Sequence, residues 1–199
     1  MTASLWRPRA AQLVRLFPGL WIFGTGEACL VHARLGNSPW TVLAQGVARH
    51  TPLSIGDATV AISFAVMLLW IPLRQRPGFG SVMNAILIGL AIDAMLPLLP
   101  GVGGLAGRGA FVAAGIALVS LGSGLYLTAG LGPGPRDGLM TGLHFRTGHS
   151  LRLVRTLIEG SALIGGFALG GRVGVGTVAF ALLVGPGVQR AVKVLGGLR

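Results

Sequence analysis

The chain contains one cysteine, five acidic residues and a single lysine, Lys193, among 199 residues. One cysteine excludes an internal disulfide and any cysteine metal cluster. Cys29 lies in an apolar stretch and reads as a small hydrophobe. Charge of either sign is scarce, at 11% of residues against 52% hydrophobic, and the mean hydropathy is +0.76. A soluble domain of this length needs more polar surface to cover its core, so an integral membrane protein is expected. No Ser-His-Asp or zinc motif is present, and the four histidines His32, His50, His144 and His149 have no metal-site spacing. The glycine-rich "GVGGLAGRG" from Gly101 lacks the Lys-Ser/Thr ending of a phosphate loop. Neither an enzyme nor a resident cofactor or metal is therefore expected.

The net charge of +11 does not point to nucleic acid. A nucleic-acid domain gathers its basic residues on one face or in one run. Here they fall singly or in twos between apolar stretches, which is the pattern of topogenic charges and suits a lipid bilayer with anionic headgroups.

What is abundant is glycine, at 34 residues, as in membrane helices that pack closely through small side chains. A bilayer core about 30 Å thick takes about 20 helical residues. Six apolar segments approach that length: 16–31, 55–73, 81–99, 109–128, 153–169 and 175–194. With six crossings, one side holds twelve basic residues (Arg7, Arg9, Arg15, Arg74, Arg76, Arg136, Arg146, Arg152, Arg155, Arg190, Lys193 and Arg199). The other side keeps four: Arg34, Arg49, Arg108 and Arg172. That asymmetry places both termini on the cytoplasmic side of a multi-pass membrane protein. The N-terminus shows no cleavage site after its Arg residues, so the first span is expected to be retained.

The sequence also matches itself at an offset of 96 positions. Seven glycine pairs coincide, among them Gly19 with Gly115, Gly26 with Gly122 and Gly89 with Gly185. Glycine frequency alone gives roughly two. Pro39 meets Pro135, and Ser54 meets Ser150. The expected architecture is all-α: a single membrane domain over 1–199, with six transmembrane helices as two inverted three-span repeats, about 16–100 and 109–196. Each repeat has a short segment after its first helix, 37–50 and 133–149, either lying in the interface or re-entering the membrane. In the second copy Arg136 and Asp137 replace Trp40 and Thr41 of the first.

The acids bound the chemistry. Asp57 follows Ser54 and reads as helix-start chemistry. Asp93 sits near the end of its span and reads as structural. Glu27 and Glu159 lie within spans, where a carboxylate is a functional candidate by default. For Glu159 the structural alternative is an ion pair with Arg155, one turn earlier; for Glu27 it is a hydrogen bond to a neighbouring Ser or Thr. Asp137 either caps a half-helix from Gly138 whose N–H groups, with Arg136, present positive potential to a ligand, or simply starts the next helix. The candidate pathway or ligand-binding residues are thus Glu27, Pro39, Trp40, Pro135, Arg136, Asp137, Gly138 and Glu159.

The stretches "GLGPGPRDGLMTGL" (130–143), "VRTLIEG" (154–160) and "GGRVGVGTVAFALLVGPGVQ" (170–189) resemble the YczE/YyaS/YitT family of bacterial integral membrane proteins. The resemblance is closest to the YczE-like branch and covers about 16–189. It implies a multi-span plasma-membrane protein and carries over no substrate or catalytic residue. With the repeated layout it points to a transporter of a small molecule or ion. The alternatives are the substrate-binding membrane subunit of a multi-component transporter and a non-transporting accessory or scaffold protein. A homo-oligomer or a partner membrane protein is compatible with each.

Overall fold

The computed structural model describes residues 5–196. Arg199, counted above among the cytoplasmic charges, lies outside them. Eight α-helices occur among the described residues: α1 (Ala10–Ala33), α2 (Pro39–His50), α3 (Ile55–Leu68), α4 (Phe79–Met95), α5 (Gly104–Ala129), α6 (Pro135–Thr147), α7 (Leu151–Ala168) and α8 (Val175–Gly196). A 3-10 turn, Leu96–Leu98, extends α4. Proline at the first helical position starts both α2 and α6, where its missing N–H costs nothing. Ser54 and Ser150 cap α3 and α7 by accepting from the N–H three residues on. Each of these four helices has a counterpart starting 96 residues away, as do α4 and α8.

Four helices are long and apolar enough to cross a membrane: α1, α4 with its 3-10 turn, α5 and α8. A fifth crossing is reached if α2 and α3, bent by 113° at their junction, count as one broken span. The sequence-based segments 55–73 and 153–169 are the two that fall short. α3 ends at Leu68 after 14 residues, about 21 Å at the α-helical rise. Pro72 crowds the Leu68 carbonyl and ends the helix there, and Trp70 turns inward, its indole N–H donating to Pro135 O at 2.9 Å. α7 keeps 18 residues but carries Arg152, Arg155 and Glu159 on its length.

The core is the α1·α5 pair. Glycine makes their close approach possible: a Cβ at Gly19 would meet Tyr126 N at 2.9 Å, and one at Gly115 would meet Gly26 O at 2.8 Å. Gly19 thus lies beside residues 122–126 and Gly26 beside 115–119, so the two counterpart helices run antiparallel. Leu16, Leu20, Leu30, Ile92, Val119 and Leu131 fill the space around them. α4 packs on α1, and α8 on α5.

The two connecting loops trade places. Gly80 N–H, at the start of α4, donates to Leu131 O at 2.8 Å, and Gly176 N–H, at the start of α8, donates to Leu35 O at 2.9 Å. Both bonds need the loop to turn sharply at the next residue. Gly36 and Gly132 do so with the same φ of +115°, which L side chains rarely adopt.

Candidate functional site

α2 and α6 occupy the segments 37–50 and 133–149. A helix lying flat buries one stripe along its whole length. These two bury residues from the first turn (Pro39, Thr41 and Val42; Pro135, Gly138 and Leu139) as far as Gly46 and Gly142, and expose only their last residues. Each therefore points its N-terminus, the positive end of its dipole, into the protein.

At the start of α2 that positive end meets Glu27. The carboxylate is 1% exposed. Its Oε2 accepts from Ser38 Oγ–H at 2.9 Å and from Thr41 Oγ1–H at 2.8 Å. Its Oε1 has no hydrogen-bond partner among the described residues. The hydrogen bond to neighbouring hydroxyls expected as the structural alternative is therefore present, but it satisfies only one of the two oxygens. Trp40 Nε1 is likewise buried without a partner. Glu27, Trp40, Thr41, Asn84, Pro135 and Arg136 line one chamber of about 40 Å³, closed on the apolar side by Ile62, Val66 and Ile88. By volume it accommodates a few water-sized groups.

A second chamber of about 240 Å³ adjoins it, lined by Phe23, Ser123, Tyr126, Arg136, Asp137, Arg155, Glu159, Val184 and Gln189 among others. Arg136 borders both chambers. The two walls correspond: Glu27 with Ser123, Trp40 with Arg136, Thr41 with Asp137, Ser63 with Glu159 and Ile88 with Val184 all stand 96 residues apart.

The Arg-Asp dipeptide is divided between separate partners. Arg136 lies with its guanidinium carbon 5.4 Å from the centroid of the Phe23 ring, a cation–π contact. Among the described residues no carboxylate pairs with it, the one ion pair being Arg155–Glu159. Asp137 accepts from Tyr126 Oη–H at 2.7 Å. Asp137 does not cap a helix from Gly138: α6 already starts at Pro135 with Gly134 as its cap, which puts Asp137 in the first turn.

The other candidates fall as follows. Glu159 accepts from Arg155 Nε–H at 3.0 Å, the i,i+4 pair, and faces the larger chamber. Pro39 opens α2 and Gly138 gives way to the Trp70 ring, where a Cβ would lie 2.0 Å from the nearest carbon. Neither lines a chamber. Asp57 sits in the first turn of α3. Asp93 is held by Ser54 Oγ–H and by Gly56 N–H, at 2.9 Å for the latter, and locks α3 onto α4. Sequence reasoning missed Thr41, Asn84, Tyr126 and Trp70. Tyr126 is the only tyrosine, and Asn84 is a lone amide in an apolar span, so both left a compositional signal.

Residues 10–193 match the model of a family of unknown function, DUF6198. An uncharacterized protein of Haemophilus influenzae is 42% identical over 195 residues, covering 98% of this chain and 89% of the relative. The uncharacterized membrane protein YczE of Bacillus subtilis is 32% identical, covering 85% of this chain and 80% of its own. YyaS of the same organism is 25% identical over 84% of this chain. No solved structure matches. Apolar helices of spanning length, the family model and the identity to a named membrane protein converge: the chain is a membrane protein and belongs to this YczE/YyaS-like family.

Proposed function

We propose that the protein is a small-solute transporter of the bacterial plasma membrane, built as two inverted repeats with both termini cytoplasmic. α1, α4, α5 and α8 cross the bilayer fully, and the bent pair α2–α3 and, by its counterpart position, the pair α6–α7 each supply one further, broken crossing whose half-helix re-enters the membrane. Discontinuous helices at matching places in two halves, with their N-termini turned inward, are the layout that lines solute sites in transporters. The antiparallel α1 and α5 support opposite orientations of the halves in the membrane, and the exchanged loops support their equivalence.

One observation carries the reading: the two chambers share a set of lining positions 96 residues apart yet differ sixfold in volume, about 40 against 240 Å³. In the first half α3 is locked on α4 by Asp93, Ser54 and the Gly56–Gly89 approach. Of the corresponding residues of the second half, Ser150, Gln189 and Gly185, the last two border the larger chamber, and a Cβ at Gly185 would touch nothing within 4 Å. Alternating access follows if α7 closes on α8 as α3 leaves α4, exchanging the roles of the chambers.

The test is a pair of cysteines, Ser150→Cys and Gln189→Cys, in a Cys29→Ser background reconstituted in liposomes. The expected result is that a short crosslinker bridges the pair in a fraction of molecules and that bridging stops solute flux. A pair that never crosslinks, or flux that survives full crosslinking, rejects the mechanism. Absence of flux with any solute, together with a co-purifying ATPase or enzyme, would favour a subunit or scaffold role instead.

A further inference from the structure

We infer that the solute bound beside Glu27 is a small zwitterion with a primary ammonium group, of the class of small neutral α-amino acids. The inference rests on the transporter reading only for what becomes of the solute afterwards; the binding claim stands on the site itself.

The charges that border the chambers are Glu27, Asp137 and Glu159 against Arg136 and Arg155. Three of them are spoken for: Arg155 and Glu159 neutralise each other, and Asp137 is met by the Tyr126 phenol. What remains is one carboxylate oxygen, Glu27 Oε1, with no hydrogen-bond partner among the described residues, and one guanidinium, Arg136, held only by the Phe23 ring and the charge of Glu27; both border the same small chamber. The buried Trp40 N–H adds an unanswered donor there. Each such group is costly to bury alone. A ligand with a single charge answers one and leaves the other. A zwitterion answers all three: its ammonium donates to Glu27 Oε1, and its carboxylate accepts from Arg136 and from Trp40 Nε1.

Two further features narrow the class. Glu27 Oε1 needs a hydrogen-bond donor, which a quaternary ammonium does not have. The walls opposite, Ile62, Val66 and Ile88, are apolar, and the space of about 40 Å³ leaves room for only a small side chain. Glycine, alanine and serine fit that description. The larger chamber has room to admit the same solute from its own side before the site closes.

The experiment is calorimetric titration of the purified protein in nanodiscs with glycine, alanine and serine. Ethylamine, acetate, N-acetylglycine and glycine betaine serve as single-feature controls. The expected outcome is saturable binding of the amino acids, with every control weaker by about tenfold or more. Arg136→Gln and Glu27→Gln are expected to abolish it. Because Glu27→Gln alters a buried network, Trp40→Phe provides a milder variant that removes one N–H and keeps the ring, with an expected loss of roughly fivefold. A control ligand binding as tightly as glycine, no heat from any amino acid, or Trp40→Phe binding like wild type would each overturn the inference. Liposome flux of some other solute without amino-acid binding would reject this ligand class and leave transport standing. Amino-acid binding without flux would do the reverse.

Discussion

The two halves solve one local problem with the same two kinds of group placed on opposite helices. In the first half the acid is on the long helix, as Glu27 of α1, and the hydroxyl is on the half-helix, as Thr41. In the second half the corresponding position on α5 is Ser123, and the acid has moved onto the half-helix as Asp137, answered by Tyr126 of α5. Both arrangements put a carboxylate near an inward-pointing helix N-terminus, where the dipole favours it. They differ in access: Glu27 is 1% exposed, whereas Asp137 borders the larger chamber. The scaffold is shared, and the chemistry is divided between a sealed acid and an open one.

The steepest way to test that division is through its packing. Gly89→Ala puts a Cβ 2.5 Å from Gly56 O, whereas Gly185→Ala at the counterpart position meets nothing within 4 Å. The first is expected to cost about 1–3 kcal/mol. The second is expected to stay within about 0.5 kcal/mol, since the position precedes Pro186 and gains little from alanine's helix propensity. Thermal unfolding in detergent separates them. If Gly185→Ala leaves stability intact but slows flux, α7 must approach α8 during the cycle; equal flux would break the comparison.

Tyr126→Phe takes the charge-assisted bond from Asp137 and is expected to cost about 1–2 kcal/mol in the same assay. Trp70→Phe is expected to cost about 1 kcal/mol, because Pro135 O loses the indole donor that anchors α6 under α3. The smallest effect belongs to Glu159→Gln. Its partner Arg155 is half-exposed, and a helix-surface i,i+4 pair is worth less than about 0.5 kcal/mol. A larger loss of stability would mean that Glu159 does more in the fold than hold Arg155.

Much of this organisation is legible in the sequence because it is written in local terms. Pro39, Pro135, Ser54 and Ser150 mark helix starts wherever they occur. The offset of 96 residues returns as the spacing of those starts. The site was legible only in part. Glu27 stands out as an acid among apolar residues, but that its Oε2 is taken and its Oε1 left is decided by Ser38 and Thr41, 11 and 14 residues away. The shortening of α3 divides in the same way. Residues 69–73 are apolar enough to continue a span, but Pro72 removes a helical N–H and crowds the Leu68 carbonyl, and the distant carbonyl of Pro135 then receives the Trp70 indole. Asp137 read as a helix cap because Asp favours caps, whereas Pro135 two residues earlier had already begun the helix.

The exchanged loops have a consequence for how the chain is assembled. Leu131 O closes the start of α4, and Leu35 O closes the start of α8, so each half completes a helix that belongs to the other. A half-chain made alone would leave both its own loop carbonyl and its own helix start without these partners. It should be retained only when the other half, or a second copy of itself, is inserted beside it. Co-expressed halves cut within residues 99–103, between the two, should therefore find each other in the membrane and survive proteolysis together, while either one by itself is degraded.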